Sequence, residues 1–287
     1  MIYISSACSS RKKIGESVKE IAERGFTNIE LTGGTHYYND YEMELLQLQD
    51  QYSLNYLVHN YFPPPKNHFV LNLASLNDEI YERSLEHCKN AITLSKKLGS
   101  KKLGFHAGFL VDIRVKEIGQ KIGKDKLFNK NQAINRFCRA FNILKELVGD
   151  DIELYIENNV FSQTNARTYN GQNPFLLTDY DSYLEFRDRL EFELLLDIAH
   201  LKVSVNSLKL DFAEQFGTLF NHTNYIHISE NDGFHDQNRG FNQDSKTLDE
   251  LRAYDFRSKT ITLEIYRKLE SIQQDYEIVK KVLKLEN

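Results

Sequence analysis

The stretch Tyr225–Gly240, YIHISENDGFHDQNRG, sets His227 and His235 among Glu230, Asp232 and Asp236 as a strand-like start runs into a loop. Imidazoles and carboxylates in one place can hold a divalent cation or move protons. Taken alone, the loop reads equally well as a solvated turn, with Asp232-Gly233 at its tip and Glu230 and Asp232 facing water. Other segments end in the same way. FTNIEL has Glu30 just before its last residue, and NYLVHN ends in His59-Asn60. KKLGFH ends in His106, IELYIEN in Glu157-Asn158, and FELLLD in Asp197 with His200 three residues on; TITLEIY carries Glu264. A carboxylate buried without a partner costs roughly several kcal/mol or takes up a proton. A divalent cation where these segments converge would offset that cost. The donor types suit Zn, Mn, Fe or Co, with Mg a further option. Such an ion can hold a water or two vicinal substrate oxygens. Glu157 and Glu264 could each ligate with one oxygen and handle a proton with the other. His200 could position a substrate oxygen, bind a second metal, or simply hydrogen-bond Asp197.

These residues need a scaffold that brings many strand ends together. Strand-like segments begin at 2, 26, 55, 102, 152, 192, 224 and 260. Helical spacing between them predicts helices over 14–25 (ending at Gly25), 41–52, about 77–98, 131–147, 178–189 and 204–217. A short helix at TLDELRAYD and a last one to about Leu285 follow. Ser75 or Asn77 is the expected cap of the long third helix, and Gly99 its stop. The triple proline at 63–65 forces an extended connection. Eight strand–helix units without a dividing linker predict a single (β/α)8 TIM barrel over residues 1–287, whose active site lies at the strands' C-terminal ends. An open doubly wound sheet would show a Gly-rich phosphate loop after its first strand, which is missing.

The composition is that of a globular chain, with 41% hydrophobic and 27% charged residues. With 36 basic and 41 acidic residues the formal charge is −5, which argues against nucleic acid as a partner. Cys8, Cys88 and Cys138 form no disulfide framework, so a reducing cytoplasm is the expected location. No apolar run approaches the ~20 residues that cross a bilayer, and no membrane role is expected.

GFTNIEL, YLVHN, LGFHAG, LYIEN, LLLDIAH, YIHISENDGFHDQNRG and ITLEIY together resemble the xylose-isomerase-like TIM barrel superfamily, which includes sugar isomerases, epimerases and endonuclease IV. The resemblance implies two testable ligand patterns. Ketose 3-epimerases bind one divalent metal, often Mn, through positions matching Glu157, Asp197, His227 and Glu264. Their two glutamates exchange a proton with a substrate carbon through an enediolate-like intermediate, and the histidine matching His200 holds substrate. Endonuclease IV carries three zincs, the first on positions matching His59, His106 and Glu157. Its third takes His200 and an Asp-x-His loop, which here reads Asp236-Gln237-Asn238, so the final ligand is replaced. The resemblance therefore implies a divalent-metal (Mn or Zn) isomerase or epimerase acting on a sugar, sugar phosphate or nucleotide-sugar derivative. A metal-dependent hydrolase, including an endonuclease-IV-like phosphodiesterase, is the alternative, and a non-catalytic sugar or metal binder a third. Tyr61 and Phe62 are expected to wall the cleft, and Lys66, Arg114 and Lys116 are candidate phosphate contacts. Oligomeric state stays open; barrels of this kind often pair through their rims as homodimers.

Overall fold

The eight apolar segments form eight parallel strands: β1 Ile2–Ser5, β2 Asn28–Leu31, β3 Asn55–His59, β4 Lys102–His106, β5 Glu153–Glu157, β6 Glu193–Asp197, β7 Thr223–Ile228 and β8 Thr260–Leu263. Each pairs with the next and β8 returns to β1, closing the barrel. The computed structural model describes residues 1–266 and 269–285. The strands are buried on both faces, which is why they read as unbroken apolar runs. Tyr3, Leu57, Tyr155, Leu195 and Tyr225 fill the interior, and the Tyr155 and Tyr225 rings meet edge to face at 5.2 Å.

Outside the strands lie α1 Ile14–Ala22, α2 Tyr41–Tyr52, α3 Asp78–Leu98, α4 Lys130–Val148, α5 Gln163–Thr168, α6 Tyr180–Arg187, α7 Ile198–Leu208, α8 Phe212–Phe220, α9 Lys246–Leu251 and α10 Ile272–Val282. α3 begins where expected, with the Asn77 side chain accepting the Glu79 N–H at 3.0 Å, and stops at Gly99 in the left-handed conformation. α1 ends at Ala22, earlier than Gly25, which instead takes a φ of 88° in the turn that follows. The single helix expected over 204–217 is two. α7 starts at Ile198, Lys209 turns left-handed after it, and Asp211 caps α8 by accepting the Glu214 N–H at 2.8 Å. The apolar spacing runs straight through this break, so periodicity alone does not reveal it. The short α5 lies where no helix is predicted from the spacing. No helix among the described residues is long and apolar enough to cross a membrane.

Parallel register sets the site. His106 is the partner of Glu157, Asp197 of His227, and His59 of Gly104. A β-carbon at Gly104 would lie 2.8 Å from the Leu195 side chain and 3.1 Å from the His59 ring, so glycine there leaves room for the imidazole.

Candidate metal centre

The strand ends bring Glu157, Asp197, His227 and Glu264 together, each with one potential ligand atom within 4.8 Å of the others. Glu157 closes β5, Asp197 closes β6, His227 sits in β7, and Glu264 follows β8 directly. All four are buried. His106, Glu157 and His200 form a second group of the same kind, and Glu30, His59 and His227 a third.

Asp197 is held by the start of α7. One oxygen, Oδ1, accepts the His200 N–H at 2.7 Å as the helix cap, while Oδ2 has no hydrogen-bond partner. Burial, opposed by His200 and reinforced by Glu157, pushes this carboxyl up to about 7. Glu157 faces histidines on both sides. Its Oε2 lies 2.9 Å from His59 Nε2 and 3.1 Å from His106 Nδ1, and its Oε1 lies 3.5 Å from His227 Nδ1 and 3.7 Å from His200 Nδ1. Burial alone would raise its pKa, but His106 and His59 hold it well below the usual carboxylate range. His106 itself is pushed down to about 4 by burial, against the pull of Glu157. Glu264 is fixed from two sides, by His227 Nδ1 at 3.1 Å from Oε2 and by the Tyr266 hydroxyl at 3.1 Å from Oε1.

Buried oxygens without partners are the observation that tests whether a cation fits. Glu157 Oε1, Asp197 Oδ2 and Asp236 Oδ1 are buried and make no hydrogen bond. Leaving such atoms without a partner is costly. Two glutamates, an aspartate and an imidazole are a donor set that divalent cations accept. The cluster is therefore suited to chelating a divalent metal.

The remaining expected residues fall as follows. His200, in the first turn of α7, donates its Nδ1–H to the Asn158 carbonyl at 2.9 Å, which turns Nε2 toward Asp236 Oδ2 at 3.6 Å. Asp236 thus joins the site through His200 and belongs to none of the three ligand groups. His235 lines the cleft but joins none of the three ligand groups: its side chain is largely exposed, and Nδ1 sits 3.0 Å from Asp232 Oδ2 in the loop's own turn. Asn238 is buried and its Oδ1 accepts the Ser229 hydroxyl at 2.9 Å. Tyr61 lines the cleft, but Phe62 is core, packed edge to face on Tyr41. Lys66, Arg114 and Lys116 do not line the cleft; among the described residues its basic lining is Arg11, Lys12 and Lys121.

Glu30 has a place that its position near a strand end did not reveal. It is fully buried, and its Oε2 accepts from His227 Nε2 at 3.0 Å, from Thr262 Oγ1 at 2.8 Å and from the Tyr225 hydroxyl. Burial would raise the Glu30 pKa, but the neighbouring His227 lowers it. Glu30, with Glu157 and Glu264, in turn raises His227 well above the ordinary histidine value, against the effect of burial. A carboxylate on Nε2 fixes the imidazole so that Nδ1 faces the carboxylate cluster. The only sequence signal was that Glu30 and His227 lie near the ends of strands; their pairing spans the barrel.

Residues 18–282 match the xylose isomerase-like TIM barrel family. An uncharacterized protein of Methanocaldococcus jannaschii is 22% identical over 236 residues, which are 82% of this chain and 72% of that protein. Among solved structures, a D-tagatose 3-epimerase-like protein superposes with a TM-score of 0.72 at 20% identity, covering 99% of this chain and 97% of that one. Endonuclease IV from Thermus thermophilus superposes with a TM-score of 0.62 at 12% identity, covering 99% of each chain. At these identities the likeness is one of fold. Together with the match over residues 18–282, it places the chain in the xylose isomerase-like TIM barrel family.

Proposed function

We propose that this protein is a divalent-metal-dependent isomerase or epimerase of a sugar or sugar derivative. The observation that carries the reading is the four-residue group itself. It contains two glutamates, Glu157 and Glu264, that reach one point from separate strands. Relatives of the same fold include proteins described as D-tagatose 3-epimerase-like, L-ribulose 3-epimerase and 3-keto-D-glucoside 4-epimerase.

In this reading Glu157, Asp197, His227 and Glu264 hold the cation, with Mn and Zn the first ions to test. When bound, the cation supplies positive charge against the negative charge that develops on the sugar oxygens beside the reacting carbon. One glutamate takes the proton from that carbon, and the other returns a proton to complete the isomerisation or epimerisation. The Tyr266 hydroxyl on Oε1 keeps the Glu264 carboxylate turned toward the cluster. His200, its ring held from behind by the Asn158 carbonyl, orients a substrate oxygen through Nε2, beside Asp236. Glu30 keeps the His227 ring in place.

A second reading has its own observation. His59 and His106 both approach Glu157 Oε2, so Glu157 could be shared between two ions, as a metal-dependent hydrolase or phosphodiesterase requires. Metal content on protein purified without chelator separates the two, together with deuterium uptake into a panel of ketoses in D2O. About one ion per chain and deuterium at the carbon next to the carbonyl support the isomerase. Two ions, no exchange and cleavage of a phosphodiester would transfer the assignment to the hydrolase.

A further inference from the structure

The cleft does not end at the carboxylate cluster. Its volume is about 920 Å³, at the upper end of the range that encloses a drug-sized ligand and far more than one monosaccharide fills. Beyond the metal centre one wall is apolar. Phe69 and Val70 come from the loop after β3, Phe109, Val115 and Ile118 from the loop after β4, and Phe175 from the segment before α6. Val115 and Ile118 line this cleft yet remain 46% and 45% exposed, so the chain itself leaves nearly half of each uncovered. Water beside large aliphatic groups inside a cleft is unfavourable, and an apolar ligand surface would displace it.

This wall is fixed in place. The loop over residues 107–129 is tied to α5 by the buried Asn165, which accepts the Ile122 N–H at 3.0 Å and donates to the Gln120 carbonyl at 3.2 Å. The Tyr169 hydroxyl donates to the Gly123 carbonyl at 2.6 Å and accepts the Asp125 N–H at 3.2 Å. Beneath it, Phe109 and Phe175 meet edge to face at 5.7 Å. A preformed apolar wall continuous with a polar metal centre suits a ligand with one polar and one apolar end.

We infer that the cleft takes a sugar bearing an aromatic group, with the sugar at the metal centre and the ring against Val115, Ile118 and their neighbours. The placing of the sugar rests on the isomerase reading above; the aromatic subsite does not, because it contains no metal ligand. An aryl aglycone and a nucleobase share this chemistry. Lys12 and Lys121 line the same cleft and make no ion pair among the described residues, which favours a charged linker in the second case.

The test is titration calorimetry of the whole protein, before and after chelation, with methyl β-D-glucopyranoside, phenyl β-D-glucopyranoside and uridine diphosphate glucose. The expected result is that at least one aromatic probe binds about tenfold or more tighter than the methyl glycoside. That gain persists after chelation and falls in the double variant Val115→Ser, Ile118→Ser. A gain with the nucleotide that survives salt identifies the base, one that salt removes comes from the phosphates alone and overturns the subsite, and a gain with the phenyl glycoside that ignores salt identifies an uncharged aglycone. Equal or undetectable binding of all three, or a gain that survives the double variant, overturns the subsite. So does a double variant that dissociates a dimer while no aromatic probe gains, because the patch is then an interface. Absence of bound metal would sink the isomerase reading while leaving the aromatic gain measurable, so the two failures are distinguishable.

Discussion

The two ends of the barrel treat charge in opposite ways. At the base, Lys102 Nζ lies 2.8 Å from Glu153 Oε2 and 3.1 Å from Asn224 Oδ1 and also contacts the Tyr155 hydroxyl, with the Glu153 side chain more than half exposed. These groups satisfy one another and water. At the mouth, Glu157 and Asp197 are fully buried, and each has an oxygen without a hydrogen-bond partner. The fold does not require this arrangement, since the base closes the same barrel without it. What differs is purpose: the base stabilises the closed sheet, whereas the mouth carries carboxylate oxygens without partners, suited to a ligand.

Breaking the mouth should have the largest effect. Glu157→Gln or Glu264→Gln is expected to lower turnover about 10²–10⁴-fold, measured by steady-state kinetics on whichever ketose shows deuterium exchange; near-normal turnover would remove that glutamate from proton transfer. Chelation sharpens the comparison next. An ion present at ~100 times its Kd stabilises the fold by about 2.7 kcal/mol, so EDTA should lower Tm, and the base should be unaffected by it. In the chelated protein the raised Asp197 pKa gives a definite sign. Its carboxyl rises from 3.8 unfolded to about 7 folded, so its contribution to stability is present below 3.8 and is lost as pH rises toward 7. The Asp197→Asn variant should lack that component in a series of urea melts. If both proteins show the same pH trend between those values, the carboxyl is not protonated there.

A smaller effect is expected from Glu30→Gln, which leaves the cluster's own donors intact. Loss of the anionic partner of His227 should weaken Mn binding about 10–100-fold by calorimetry; unchanged affinity would mean that the imidazole needs no such anchor. The smallest is Lys102→Met at the base, which should change unfolding free energy by about 1 kcal/mol and leave metal content alone. Metal loss in that variant would show that the two ends are not independent.

Much of this contrast was legible in the sequence, because strands buried on both faces leave few positions for charge. A histidine or carboxylate ending such a run stands out, and parallel closure brings those ends together. The barrel and all eight strands were accessible in this way. Contacts made across the barrel were not: Glu30 meets His227 from a strand 197 residues earlier, and no local pattern records that. The break between α7 and α8 was hidden because apolar spacing continues through Lys209, whose left-handed backbone ends the helix. His235 lies in the loop that follows His227, with no strand to fix it, and Asp232 holds it within its own turn. Phe62 and Tyr61 are adjacent, and only the path of the backbone decides that one enters the core and the other the cleft.

The cap that Asp197 provides for α7 has a mechanical consequence. The carboxylate that offers Oδ2 to the cluster also holds the first turn of a helix through Oδ1. That helix reaches the loop after β5, because the Ser204 hydroxyl accepts the N–H of Phe161, which lies between the cleft-lining Val160 and Ser162, at 2.9 Å. Anything that restrains this one side chain restrains a lever running from the barrel axis to the loop beyond β5. Slower deuterium exchange at the His200 and Phe161 amides on metal loading would be the signature of that lever, read as a rate at two backbone positions rather than as chemistry at any substrate.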